Sequence, residues 1–334
     1  MIATKRQRTN GGEIVLLNGL KRESSYLFSE SVVLEGHEGP VLSAKFNDDG
    51  SKIVTSGMDK SIKLWNTPID ENDEEPNYGV ITGHKAAVTS VNWMADESLL
   101  MSGSADSTVG FWDCETGKRI RKCCSHTSVV NQISVSQESL GASVGDDGFA
   151  YIWDPREKLP VSKIKTDFPL LSCTYNNVGD TLYIGGIDPT VRAFDVRAID
   201  KELWACGSQN DSITSISINK DDSILLSRSM DGVIRTYSAR TFVPEGISRL
   251  SQNTFTGAPS GKEYYLIRAC FSNNNIAIVS GSEDKSVTVF DFLSKKVQNK
   301  YTGHLGTVLD VDHHPEAPVI LSTSTDGTII VREL

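Results

Sequence analysis

Imidazole, hydroxyl, carboxylate and indole recur together along this chain at fixed distances, and the recurrence defines the chemistry open to them. His37, His84, His126 and His304 each precede an aspartate by 21 or 22 residues: Asp59, Asp106, Asp147 and Asp326. Four residues before each aspartate stands a hydroxyl, Thr55, Ser102, Ser143 or Ser322, and six residues after the first three stands Trp65, Trp112 or Trp153. By donor and acceptor count, the carboxylate orients one imidazole nitrogen and the other nitrogen meets the hydroxyl, which accepts from the indole N–H. A buried network of this kind stabilises only when every member is satisfied. The first three sets are therefore expected to be complete internal struts. The fourth, with Arg332 at the tryptophan position, is incomplete.

The elements that must hold these sets follow from the period. The aspartate returns seven times, as Asp59, Asp106, Asp147, Asp188, Asp231, Asp284 and Asp326, with spacings of 47, 41, 41, 43, 53 and 42 residues. A repeat of about 40–45 residues, each a small four-stranded unit, is the signature of a β-propeller of WD type. Val41-Leu42-Ser43-Ala44-Lys45-Phe46 alternates and then meets the turn signal Asn47-Asp48-Asp49-Gly50; Lys52-Ile53-Val54-Thr55-Ser56 and Ile62-Lys63-Leu64-Trp65 read as the next strands. No stretch sustains a helical period, so the expected fold is all-β, a seven-bladed propeller over residues 30–334. Ser31-Val32-Val33-Leu34 stands before the first Gly-His step as the outer strands of other blades do, and is expected to close the last blade. Residues 1–29 read as a flexible arm, with a short ordered patch at Ile14-Val15-Leu16-Leu17. Repeat four lacks the histidine and has Ile184 at the hydroxyl position, and repeats five and six lack the histidine. Those blades, and repeat seven with Arg332 at the tryptophan position, are expected to rely more on apolar packing and to be locally less stable.

Composition narrows the function. A chain of 334 residues buries enough surface to need neither metal nor disulfide. Its six cysteines form no framework and no C-x-x-C pair, which suits a reducing compartment. No signal-like or membrane-length apolar run occurs, so a soluble intracellular protein is expected, without membrane contact. A net charge of −10 opposes a duplex-coating role. Gly257-Ala258-Pro259-Ser260-Gly261-Lys262 is one residue short of a phosphate loop and has no helix context. His313-His314 has no second ligand pair nearby in sequence. No nucleophile elbow or H-E-x-x-H occurs, and an aspartate placed once per blade is architecture. We expect no enzyme activity, catalytic residue, metal, cofactor or small-molecule substrate.

Candidate partner contacts lie where the repeat is interrupted or exposed. Met58, Ile187 and Met230 immediately precede the repeated aspartate, on the rim of one face. Arg156 and Arg197 follow the terminal aspartates Asp154 and Asp195 by two residues, as Arg240 is placed in the next blade; ion pairs within the blade are the modest account. The insertion at about 240–267 carries Phe242 and Phe255, and aromatics on a long loop of a rigid scaffold suit a partner contact. The acidic run Asp70-Glu71-Asn72-Asp73-Glu74-Glu75 and the basic Lys5-Arg6-Gln7-Arg8 read as solvated segments.

The Gly-His and Trp-Asp elements resemble the WD-repeat family. Gly36-His37-Glu38-Gly39-Pro40-Val41, Val129-Val130-Asn131, Gly185-Gly186-Ile187-Asp188, Ser229-Met230-Asp231, Arg240-Thr241-Phe242-Val243-Pro244 and Leu266-Ile267-Arg268-Ala269-Cys270 further resemble the WD-repeat subunits of the spliceosomal U5 small nuclear ribonucleoprotein. The resemblance implies a nuclear, non-enzymatic scaffold in pre-mRNA splicing. Such a scaffold would bind the large U5 protein and neighbouring spliceosomal proteins and touch snRNA or pre-mRNA at most peripherally. The alternative is a substrate receptor of a cullin-type ubiquitin ligase, which the W-D-x-R pair at Arg156 and Arg197 resembles.

Overall fold

The alternation of apolar and small polar residues over short runs dictates strands, and frequent turn residues force each to reverse. A computed structural model describes residues 6–9, 12–18, 26–27, 29–67, 76–207, 210–244 and 246–334, the first two segments as backbone only. No helix occurs among the described residues; thirty strands form six antiparallel four-stranded sheets and one of six strands. The innermost strands are Val41–Phe46, Val88–Trp93, Val130–Val135, Leu170–Tyr175, Ile213–Ile218, Ala269–Phe271 and Val308–His313. Each contacts the next, and the last contacts the first, so the ring is closed. The chain is a seven-bladed β-propeller. Because strand direction alternates within a blade, blade-to-blade loops and the aspartate turns open on one face, here the upper. The other turns open on the lower.

Apolar side chains fill the seams between sheets. Val54, Ile62 and Leu64 of the first blade pack on Val88, Val91, Trp93 and Leu100 of the second, and the pattern repeats round the ring. Closure is by Ser31–Glu35, which pairs with Thr328–Glu333 in the last blade as expected from its place before Gly36-His37.

Part of the arm ahead of residue 30 is paired in sheet, including the ordered patch expected at Ile14-Val15-Leu16-Leu17. Gly12–Asn18 pairs with Ser31–Glu35, and Arg6–Thr9 pairs with Gly12–Asn18. Tyr26 donates its amide to Glu333 Oε1 at 3.1 Å, and Leu27 is wholly buried in the seam between the last and first blades. Residues 6–9 and 12–18 are sheet, because the outer strand of a blade offers an unpaired hydrogen-bonding edge. The acidic run from Asp70 to Glu75 lies outside the described residues.

An innermost strand also leaves one edge unpaired, and side chains from the preceding blade satisfy it. Ser90 Oγ accepts from Ile133 N at 3.3 Å, Gln132 Oε1 from Cys173 N at 3.2 Å and Ser134 Oγ from Tyr175 N at 3.1 Å. Ser215 Oγ accepts from Ala269 N at 3.3 Å, and Asp310 and Asp312 accept from Ala44 N and Phe46 N at 3.2 and 3.0 Å. These donors would otherwise face the channel without a protein partner.

Candidate functional site

The recurrent polar sets sit inside the blades. His37 Nδ1 lies 2.8 Å from Asp59 and its Nε2 lies 2.8 Å from Thr55 Oγ1, to which the Trp65 indole donates at 2.8 Å. The corresponding distances are 3.3, 2.7 and 2.7 Å for His84, Asp106, Ser102 and Trp112, and 2.9, 2.7 and 2.8 Å for His126, Asp147, Ser143 and Trp153. In the last blade His304 meets Ser322 at 2.9 Å, but its other nitrogen meets Thr328 Oγ1 at 2.9 Å and stands 3.7 Å from Asp326. Arg332, at the tryptophan position, instead donates to the Thr302 carbonyl at 2.8 Å and stacks on Tyr301.

Electrostatics fix the protonation states. Burial pushes the His84 and His126 imidazoles below their usual pKa, against the pull of Asp106 and Asp147, so both are neutral at pH 7. Burial alone would raise the Asp106 carboxyl, but the Lys85 amide, the Thr108 hydroxyl and His84 hold it down to about 2. The same balance holds Asp59, through His37 and Ser61, and Asp326, through His304, Thr328 and the Leu305 amide, below the ordinary carboxylate range. At His84 and His126 the neutral imidazole then donates Nδ1–H to the carboxylate and accepts the hydroxyl proton at Nε2, while the indole N–H donates to the same hydroxyl oxygen. Every group is consumed internally.

Blades without histidine do not fall back on apolar packing alone. Arg192 pairs with Asp188 at 2.6 Å, Arg235 with Asp231 at 2.9 Å, and Lys300 with Asp284 at 2.7 Å. In the sixth blade the hydroxyl of Ser280 is met by Arg228, a fully buried residue of the fifth. A cation thus takes the imidazole's place at each of these carboxylates.

The central channel holds a residue that the repeat pattern did not single out. Arg268 crosses it from the sixth blade, donating to Ser43 Oγ at 2.9 Å in the first, Asp310 Oδ2 at 2.9 Å in the seventh and the Thr89 carbonyl at 3.2 Å in the second. The pair is buried, and Arg268 with Lys45 overcomes the effect of burial to hold the Asp310 carboxyl low. Below this bar the channel widens to a cavity of about 470 Å³ lined by amides and hydroxyls such as Asn92, Gln132, Ser134 and Thr174. Cys173 also lines it, but its thiol is buried in the seam of the third and fourth blades, raised to about 12 by burial and so protonated. Among the described residues no cluster of three or more metal-ligating side chains occurs. His314 is occupied by the Ala317 amide and the Tyr26 hydroxyl, both at 2.9 Å. The Gly257–Lys262 stretch turns its amides inward: Glu283 Oε1 accepts from Gly261, Lys262 and Glu263 at 2.8, 3.1 and 3.1 Å. A carboxylate of the chain occupies the position where a phosphate loop would hold its ligand.

The candidate contact residues separate. Met58 and Ile187 stand out on the upper face, 56 % and 51 % exposed, whereas Met230 is half-buried under the turn at Gly261. The insertion is not one loop: Leu250–Phe255 is the outer strand of the fifth blade, so residues 239–244 and 246–249 lie on the lower face and 256–268 on the upper. Phe242 is exposed on the lower loop, which Arg249 fastens by donating to the Ser238 and Thr241 carbonyls and stacking on Trp204. Phe255 is wholly buried against Phe290 and Phe292 and is a core residue, not a contact. Arg156 and Arg197 are exposed on the lower face; Arg156 pairs with Asp154 at 3.1 Å as expected, but Arg197 reaches Glu138 of the preceding blade, at 3.9 Å.

The family model for the WD domain, G-beta repeat, matches residues 28–66, 76–113, 201–238, 251–291 and 295–332. The chain is 34% identical over 328 residues to the U5 small nuclear ribonucleoprotein 40 kDa protein of Dictyostelium discoideum, covering 98% of this chain and 90% of that one. It is 34% identical over 334 residues to the protein of that name from Homo sapiens, covering 99% and 90%. To the pre-mRNA-splicing factor cwf17 of Schizosaccharomyces pombe it is 34% identical over 332 residues, covering 99% and 95%.

Proposed function

The chain belongs to the WD-repeat family of U5 small nuclear ribonucleoprotein 40 kDa proteins, and from that premise we propose that it is a non-enzymatic docking subunit of the U5 particle, acting in pre-mRNA splicing in the nucleus. The observation that carries this reading is similarity along nearly the whole ring to proteins whose names place them in splicing. The physical chemistry agrees with it. The reactive side-chain types are spent on internal struts, and a preordered ring loses little backbone freedom on docking, so most interface energy survives as affinity. Its partners in this reading are the large U5 scaffold protein and neighbouring spliceosomal proteins, approached through the upper face around Met58 and Ile187.

Replacing both residues by alanine should weaken co-sedimentation with the U5 particle severalfold while leaving the melting temperature unchanged, since neither is part of the core. Undiminished co-sedimentation would exclude this face. The matching control replaces Arg156 and Arg197, which carry the rival reading of a cullin-ligase receptor. Retained particle binding is expected; gain or loss of ligase-adaptor binding in the wild-type and variant pair would favour the rival.

A further inference from the structure

We infer that the seam between the fifth and sixth blades binds a small monovalent anion of chloride size, held by the buried guanidinium of Arg228 and the hydroxyls of Thr288 and Ser260. This goes beyond the docking reading and does not depend on it. Arg228 is 0 % exposed; it belongs to the strand Ile224–Ser229 of the fifth blade and reaches across the seam into the sixth. Its Nη1 donates to the Ser280 hydroxyl and its Nη2 to the Ala258 carbonyl at 3.1 Å. Its Nε has no partner among the described residues. Neither acceptor carries a charge. The walls of the seam are apolar, with Leu226, Ile234, Phe255, Ala258 and Phe290 in one packed cluster. A cation moved from water into such surroundings is strongly disfavoured unless an opposite charge and hydrogen bonds meet it.

Three carboxylates act on Arg228 from a distance, those of Glu283, Asp231 and Asp284, and each is engaged elsewhere. Glu283 takes the amides of Gly261, Lys262 and Glu263, Asp231 pairs with Arg235, and Asp284 pairs with Lys300. Burial outweighs their attraction and lowers the guanidinium pKa to about 10, so a negative charge in direct contact would stabilise the group.

The sixth blade supplies the room and the remaining donors. In the second blade the space beside the strut hydroxyl of Ser102 is filled by His84 and by the Trp112 indole, which donates to it at 2.7 Å. The sixth blade has Phe290 in place of the indole, and Lys262 and Glu263 stand at the spacing of the histidine. Across the ladder from the hydroxyl stand Gly110 in the second blade and Thr288 in the sixth. A Cβ at Gly110 would fall 3.0 Å from Ser102 Oγ and 2.7 Å from the indole nitrogen. The Thr288 side chain therefore lies on the ground that the indole N–H holds in the second blade. Its Oγ1 is buried without a partner among the described residues, and so is the Oγ of Ser260, two residues along from the carbonyl that takes Nη2. One guanidinium N–H and two hydroxyls, all able to donate, are thus unspent at this seam. A single positive charge calls for a monovalent anion, and complete burial calls for a small one.

The test follows thermal unfolding of the purified full chain while sodium chloride replaces sodium gluconate at constant ionic strength, gluconate being too large for a closed seam. A ligand that binds only the folded chain raises the melting temperature with the logarithm of its concentration. We expect a rise of about 2–5 °C between about 1 and 300 mM chloride, and a similar rise with bromide. Thr288→Val keeps the shape and removes the hydroxyl; it should fold normally in gluconate and bind chloride at least about fivefold more weakly. Arg228→Met should abolish the chloride response. In crystals grown with bromide, an anomalous peak should lie beside Arg228 Nε. A wild-type chain with no chloride response, a response that both variants retain in full, or bromide found only elsewhere overturns the inference. Should Arg228→Met fail to fold, Thr288→Val and the bromide position decide it: an unchanged chloride affinity in Thr288→Val together with no peak at Arg228 overturns it equally.

Discussion

Arg268 shows how much one side chain can do in a ring. Its guanidinium joins the sixth blade to the first, second and seventh, and its charge is the direct partner of a carboxylate, Asp310, that is itself buried. Removing it strips that carboxylate of its direct ion-pair partner, leaving only the Lys45 charge and the Ser43 and Ala44 donors, and breaking a buried pair in this way typically costs about 3–5 kcal/mol. We therefore expect Arg268→Met to lower unfolding free energy by about 3–5 kcal/mol in urea titrations. Adding Asp310→Asn should recover a large part of the loss, because the stranded charge is gone. A single variant of wild-type stability would mean that the bar across the channel carries no stabilising energy. The signal in the sequence was faint: a lone arginine between Ile267 and Ala269, in an apolar run that otherwise reads as strand. Phe255 is the opposite case, an aromatic whose place in an insertion suggested exposure and whose strand pairing buries it.

At the scale of the element, blades differ in how their outer and inner strands are tied together. The first three use the imidazole strut. The fourth to sixth substitute an arginine or lysine at the carboxylate, so the absence of histidine is compensated by charge. The sixth remains the weakest by another measure: its two inner strands, Ala269–Phe271 and Ala277–Ser280, have only three and four residues, against six each in the second blade. Fewer ladder bonds mean easier local opening. Amide hydrogen exchange should accordingly be faster across residues 269–280 than across 88–104. Equal protection in the two blades would refute a link between strand length and local stability here.

For the whole molecule, closure makes the buried titrating groups act on one cooperative structure. His84 and His126 are held neutral by burial, so their folded pKa lies below the unfolded value of about 6.5. The unfolded chain takes up protons that the folded chain refuses, so stability is highest above that pH and falls as pH drops through it. The lowered carboxyls of Asp59, Asp106 and Asp326 add a second loss below about pH 4, where the unfolded chain protonates first. We expect the urea midpoint to decrease between neutral pH and about pH 5, with a steeper fall in stronger acid. A midpoint that is flat or rises over the first interval would contradict neutral buried imidazoles.

The amino-acid order by itself determined the number of blades, their sequence round the ring, the closing role of Ser31-Val32-Val33-Leu34 and the membership of the first three struts. All of these are written in a period of side-chain types or in a pairing edge that must be filled. Only the tertiary structure decided that Arg268 bars the channel, that cations replace the missing imidazoles, and that the insertion divides between opposite faces. Those relations join residues far apart in the chain, Ser43 and Arg268 for example, through distances set by the curvature of the closed ring. A repeat fixes what each blade contains, but the contacts between blades arise where the repeat is broken.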